Sequence, residues 1–277
     1  MEKFITCSGM PVRVATYGNR SDNGSAALLL HGYLESLEVW GNFAEQLGRH
    51  VYTVALDLPG HGLSDTHPEV NSMELMADVA AEACAQLSAG RVAAIGHSMG
   101  GYVALALAKK YPALVSSLCL LHSTPNADTE EKKLQRDHEI ALIAEGKKET
   151  LAQQSISMLF AADNASRLYE PIADIETCAL IADDTGTIAS LRGMKEREDM
   201  NEFLKTFGKP LLFVFGKKDR HISWEAASAT VERFPQAQLL ALENSGHAGF
   251  IEEEEIVLAT IKSFALKKSK SPTLTDA

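Results

Sequence analysis

A serine hydroxyl attacks a carbonyl only when a base takes its proton, and the base needs a third group to fix its orientation. The sequence offers residues for all three roles. Ser98 lies at the centre of Gly96-His97-Ser98-Met99-Gly100, a G-x-S-x-G stretch. That spacing suits a serine held on a strained strand-to-helix turn, with glycines two positions either side where larger side chains would collide. Asp219 closes the run Gly216-Lys217-Lys218-Asp219, and His247 lies in Asn244-Ser245-Gly246-His247-Ala248-Gly249. Taken singly, Asp219 also reads as a turn residue bonded to its own backbone, and His247 as a loop histidine bonded to a carbonyl. Glu243, four residues before His247, is an alternative acid. It ranks below Asp219, because it would have to reach the histidine from the end of the same strand.

The surrounding elements decide whether these residues meet. Val92-Ala93-Ala94-Ile95 is a β-branched run fit for a buried strand, and Tyr102 to Lys110 carries alanine and leucine at helical spacing up to Tyr111-Pro112. Ser98 therefore falls between a strand and a helix. Earlier, Phe4 to Ser8 and Val12 to Tyr17 predict an opening hairpin, Arg20 to Ser25 a polar turn, and Ala26 to Leu30 a strand. His31 to Ser36 is a loop, Leu37 to Leu47 a helix, Val51 to Leu56 a strand, and Met73 to Leu87 a helix capped by Asn71 or Ser72. Leu114 to Leu121 is a further strand. This alternation predicts an α/β fold, a mostly parallel twisted sheet with helices on both faces.

The rhythm breaks after His122. Thr129 to Glu145, Lys148 to Phe160, Asn164 to Ala182 (interrupted at Pro171) and Thr187 to Arg197 read as helices with no strand among them. Strands return at Leu211 to Phe215 and Ala237 to Leu242, with helices over Trp224 to Phe234 and Ile256 to Leu266. The domain reading is a first core part over 1–125, an all-helical cap over 126–200, a second core part over 201–266 and a flexible tail over 267–277. Asp219 and His247 then each follow a strand at the carboxyl edge, where open α/β sheets place their sites. Both ends of the cap lie at that edge too. It should shape substrate choice while contributing little to the chemistry.

Five motifs in register make the chain resemble the α/β-hydrolase fold family, in particular its capped, esterase-like serine hydrolases. Ser98, Asp219 and His247 occur in that family's triad order. His31-Gly32-Tyr33 resembles its oxyanion loop, Asp57-Leu58-Pro59-Gly60-His61-Gly62-Leu63-Ser64 its glycine-rich loop, and Gly96 to Gly101 its nucleophile elbow. The resemblance implies that the backbone N–H groups of Tyr33 and Met99 form the oxyanion hole. It implies hydrolysis of a small carboxylic ester or related acyl substrate through an acyl-enzyme, without cofactor. The oxyanion loop has one glycine after its histidine, not the H-G-G-G run of many lipases. His31 and His97 are read as loop braces.

Three rivals share these residues: carbon–carbon bond hydrolysis or lyase chemistry, a cofactor-free perhydrolase or haloperoxidase, and a ligand-binding receptor with vestigial hydrolysis. For the first, Arg192, Lys195 and Arg197 are candidate carboxylate partners, or equally a solvated helix face. Met158, Leu159 and Phe160 are candidates for an acyl pocket or simple cap core, and Trp40 and Trp224 are candidates to face it. From Asn126 to Met200 there are 16 acidic against 9 basic residues, so the cap does not steer anions by gross charge.

With 277 residues and 45% hydrophobic content the chain can bury a large core. A net charge of -11 disfavours nucleic acid and anionic membrane surfaces as partners. No basic leader and no run approaching a membrane span is present, and Cys7, Cys84, Cys119 and Cys178 lack C-x-x-C spacing, which together predict a soluble cytoplasmic protein with reduced thiols. Nine dispersed histidines give no metal cluster, and there is neither a Walker lysine nor a strand followed by G-x-G-x-x-G. The oligomeric state stays open.

Overall fold

The computed structural model describes residues 1–20, 25–67 and 69–266. The centre of the expected polar turn, 21–24, and the expected tail, 267–277, lie outside the described residues. Strands β1 (Glu2–Cys7) and β2 (Met10–Tyr17) pair antiparallel across Ser8 and Gly9. Both turn residues have positive φ, 49° and 79°, as a two-residue hairpin turn of the primed type requires.

The α/β rhythm follows as β3 (Ser25–Leu30), a 3₁₀ turn (Leu37–Trp40), α1 (Gly41–Gly48), β4 (Tyr52–Leu56), α2 (Met73–Gln86), β5 (Arg91–His97), α3 (Met99–Lys110) and β6 (Val115–Leu121). Ser72 caps α2, its hydroxyl accepting from the Leu75 N–H at 3.1 Å.

Between β6 and β7 (Leu211–Gly216) the chain is helical: α4 (Glu130–Ala144), α5 (Lys148–Ser157), a 3₁₀ turn (Ala162–Asn164), α6 (Tyr169–Ile181), α7 (Asp184–Glu196) and α8 (Asn201–Lys205). Thr129 and Asp183 cap α4 and α7 through their side-chain oxygens. Pro171 does not interrupt a helix as expected. It occupies the first turn of α6, where a backbone N–H has no intrahelical partner to lose. After β7 come α9 (Trp224–Glu232), β8 (Gln238–Leu242), α10 (Gly249–Glu252) and α11 (Glu254–Leu266).

The eight strands form one sheet in the order β1-β2-β4-β3-β5-β6-β7-β8. From β4 through β8 all neighbours are parallel. Alternate residues face opposite cores. Leu28, Leu30, Ala94, Leu118, Leu120 and Phe213 pack with α2 and α3, while Leu29, Ala93, Ile95, Cys119 and Val214 pack with α1 and α11. Covered on both faces, the inner strands read as continuous apolar runs. The chain leaves β3 for β4 on one side and later returns to β5 on the other. That reversal opens a crevice at the carboxyl ends of β3 and β5. Among the described residues no helix is long and apolar enough to cross a membrane, and all four cysteines are free.

Candidate active site

Ser98 caps α3 at φ 49°, ψ -113°, a conformation that costs a non-glycine residue energy and persists only where the surroundings impose it. Here they do. A Cβ on Gly96 would stand 2.2 Å from the Gly100 carbonyl oxygen, and one on Gly100 would stand 2.1 Å from that of Leu30, so strand, turn and helix close on one another through glycine alone. The Ser98 N–H donates to Leu121 O at 3.0 Å, and Ser98 O accepts from Ser123 Oγ at 2.7 Å. The side chain remains half-buried. Met99 is the first residue of α3, so its N–H belongs to the unpaired donors of a helix start. Tyr33 follows Gly32 in the loop after β3, across the crevice from the elbow.

Asp219 and His247 meet in the loops that follow β7 and β8, on the same carboxyl edge of the sheet. His247 Nδ1 lies 2.7 Å from Asp219 Oδ2, which places the ring proton on Nδ1 and leaves Nε2 as a lone-pair acceptor. Asp219 Oδ1 accepts from the backbone N–H of His221 at 2.7 Å and of Ile222 at 2.9 Å, so the carboxylate cannot rotate without losing both. Burial opposes its charge. His247 and His122 outweigh that and hold its carboxyl well below the usual carboxylate range. Glu243 is spent elsewhere, paired with Lys217 at 2.5 Å on the surface.

His122, just past the end of β6, is part of this cluster. Its Nε2 accepts from the Gly249 N–H at 3.1 Å, so its proton sits on Nδ1, 3.5 Å from Asp219 Oδ2. Burial pushes its imidazole down to about 4. Ligand atoms of His122, Asp219 and His247 all lie within 4.8 Å of one another. His247 donates to Asp219, whereas His122 Nδ1 stands 3.5 Å from the carboxylate without a hydrogen-bond partner, and both facing nitrogens hold protons where a metal would need lone pairs.

The helical insertion is clamped to the histidine loop. Leu159 O accepts from the N–H of both His247, at 2.6 Å, and Ala248, at 3.0 Å. Glu252, 5% exposed, takes Gly246 N–H on Oε1 at 2.7 Å, and Ala161 N–H and Asn164 Nδ2 on Oε2 at 2.8 and 2.7 Å. Arg220, next to Asp219, donates to Ser157 O at 2.5 Å and Phe160 O at 3.1 Å. No sequence signal marked Glu252. A carboxylate that collects backbone donors from two distant loops has no local pattern.

The remaining candidates separate. Phe160 is buried in a cluster with Leu34 and Ala248, the neighbours of Tyr33 and His247. Met158 is 37% exposed at the end of α5. Trp40 is fully buried against Phe43 and Phe250 and lines a cavity of about 580 Å³ between the start of α1 and α6 that no triad residue lines. Trp224, half-buried at the start of α9, carries Lys217 Nζ 5.3 Å over its ring. His31 braces the loop after β4, accepting from Leu58 N–H at 2.9 Å, and donates to Gly32 O at 2.8 Å. Arg192 donates to Glu69 O, Lys195 pairs with Asp137, and Arg197 pairs with Asp128, so the protein itself engages all three cations proposed for a substrate carboxylate.

Residues 28–170, just over half the chain, match the family model for the alpha/beta hydrolase fold. A pimeloyl-(acyl-carrier protein) methyl ester esterase of Xanthomonas campestris pv. campestris is 29% identical over 252 residues, covering 87% of this chain and 95% of that protein. The enzyme of the same description from Nitrosomonas europaea is 28% identical over 240 residues, 84% of this chain and 92% of that protein. Among solved structures, a thermophilic esterase from Thermogutta terrifontis, with malate bound, superposes with a TM-score of 0.88 at 28% identity over 95% of this chain and 97% of its own. The elbow at Ser98, the eight-stranded sheet and the family match agree: this chain is a member of the alpha/beta hydrolase fold family.

Proposed function

We propose that this chain is a serine hydrolase cleaving small carboxylic esters through an acyl-enzyme on Ser98. The observation that carries the reading is the 2.7 Å bond from His247 Nδ1 to Asp219, which leaves Nε2 free to act as base at the sheet edge where Ser98 rests on its strained turn. His247 Nε2 takes the Ser98 proton as Oγ attacks the carbonyl carbon. The N–H groups of Met99 and Tyr33 hold the resulting oxyanion. Collapse expels the alcohol, which receives the proton from His247. Water, deprotonated by the same nitrogen, then attacks the acyl carbon, releasing the acid and restoring Ser98. Asp219 keeps the productive tautomer and stabilises the imidazolium. The helical insertion serves as a cap over the substrate.

The esterase names of relatives that this chain spans almost end to end support ester over carbon–carbon substrates. So does the engagement of Arg192, Lys195 and Arg197 by protein groups. A panel of p-nitrophenyl esters from acetate to palmitate, run beside a vinylogous diketone, tests the reading with Ser98→Ala as blank. Ester turnover that falls by about 10⁴ to 10⁶ in the variant is expected. A fluorophosphonate should label Ser98 alone. Diketone cleavage without ester turnover, or labelling elsewhere, sinks the proposal.

A further inference from the structure

Glu35 and His97 are shut off from solvent at 3% and 0% exposure. His97 Nδ1 lies 2.9 Å from Glu35 Oε2, and its Nε2 lies 2.8 Å from the main-chain oxygen of His247. A carbonyl only accepts, and so does a carboxylate. The ring therefore needs a proton on each nitrogen to make both bonds with an ionised partner. Glu35 Oε2 also takes the Gly32 N–H at 2.6 Å, a bond that favours the ionised carboxylate. Gly32 precedes Tyr33, His97 precedes Ser98, and the carbonyl belongs to His247 itself.

We propose that Glu35 and His97 form a buried carboxylate–imidazolium pair that positions the catalytic loops, holding His247 by its carbonyl and the oxyanion loop by the Gly32 N–H. The roles of those loops rest on the serine-hydrolase reading, whereas the charge of the pair does not. His97 is faced by Glu35 and His31 from the β3 loop, by His122 at the end of β6 with ring centres 6.1 Å apart, by His247 at 5.2 Å, and by Asp219 after β7. Burial works against a charge on His97, but Glu35 and the His247 carbonyl outweigh it and raise the imidazole above its ordinary value. Burial likewise opposes ionisation of Glu35, and His97 with the Gly32 N–H overrides it. His31 and His122 are pushed by burial down to about 4 and stay neutral near neutral pH, so neither competes for the proton. Both members are positioning residues. Neither belongs to the triad, and both act through backbone groups.

The wild-type protein labelled uniformly with nitrogen-15 and carbon-13 tests the charge, with His97 assigned through the Gly96 and Ser98 amides. Both ring nitrogens should carry protons at neutral pH, where an ordinary imidazole has lost one. A bare nitrogen on His97 at neutral pH overturns the pair, and this arm needs no variant to fold. For the positioning role, Glu35→Gln should lower kcat for p-nitrophenyl acetate by about ten- to a hundredfold with KM held within about twofold. The double variant Glu35→Gln, His97→Gln should lose no more than the worse single one, since the two act as a unit. Wild-type kcat in Glu35→Gln, or losses that add, overturns the role. Failure of a fluorophosphonate to label wild-type Ser98 would instead strike the serine-hydrolase reading, leaving the nitrogen-15 result to decide the charge alone.

Discussion

The N–H of His247 donates to the carbonyl of Leu159 at 2.6 Å, so the proposed general base is held from above by the helical insertion as well as from below by the sheet. Asp219 fixes the ring, and Leu159 fixes the backbone that carries it. A helical insertion attached in this way is tied directly to the loop of the proposed base. Movement of the segment 157–164 has to be felt by the histidine loop, because Glu252 joins Gly246 to Ala161 and Asn164.

Glu252→Gln tests that coupling. An amide offers one oxygen where the carboxylate offers two, so its NH₂ must face a backbone N–H and leave at least one buried donor unpaired. The expected loss of stability is about 1–3 kcal/mol. The turnover number for p-nitrophenyl acetate, a substrate too small to need a shaped acyl pocket, should fall about tenfold, or 1.36 kcal/mol in the barrier. A thermal melt and a steady-state assay measure both. Unchanged turnover in a folded, destabilised variant would show that the cap clamp serves stability alone.

The acid is assigned by comparing two carboxylates. Asp219→Asn keeps the volume and the backbone bonds on Oδ1 but presents an amide to His247, favouring the wrong tautomer, so kcat should fall by about 10⁴. Glu243→Gln, which removes only a surface pair with Lys217, should stay within about twofold. A reversed order of the two effects would name the other carboxylate.

What could be read in the chain was what is local. The strand, turn and helix around Ser98 follow from a β-branched run, two glycines and an alanine-rich stretch, all within about twenty positions. Asp219 and His247 stood out because each lies in the loop that follows a strand. Glu35, His122 and Glu252 were not, because their roles come from partners 62, 97 and 91 positions away along the sequence. Pro171 differs from expectation for a related reason: its effect depends on whether it falls inside a helix or in the first turn, and α6 starts at Tyr169 with no capping side chain to announce it.

Acid should unfold the protein through its buried neutral histidines. Burial pushes His31, His61 and His122 down to about 4, 3 and 4, against 6.5 for a free imidazole. The unfolded chain therefore binds more protons below pH 6.5. The stability these groups allow is complete above that value and is lost as pH falls from 6.5 towards 4 and then 3. His61, with Nε2 unpartnered and its ring 5.1 Å from that of His31, is the one to remove. In His61→Phe the slope of unfolding free energy against pH near 5 should drop by one proton. Denaturant midpoints across that range measure it, and an unchanged slope would place the acid sensitivity elsewhere.

The acyl pocket is expected on the Phe160 side. Phe160, 1% exposed, belongs to the same buried cluster as Leu34 and Ala248, the chain neighbours of the proposed oxyanion donor Tyr33 and the base His247. Phe160→Leu removes ring volume there with a smaller packing penalty than truncation to alanine, which typically costs about 3–5 kcal/mol. The preferred p-nitrophenyl ester should then lengthen, with discrimination of about 1–3 kcal/mol per methylene, while acetate turnover stays within a few-fold. Met158→Ala, at an exposed helix end, and Trp40→Phe, beside a cavity that no triad residue lines, should leave the chain-length profile as it was. If Trp40→Phe moves the profile and Phe160→Leu does not, the acyl chain runs beneath α6 into the cavity lined by Trp40 and Ile175, and the Phe160 cluster only fastens the cap to the sheet.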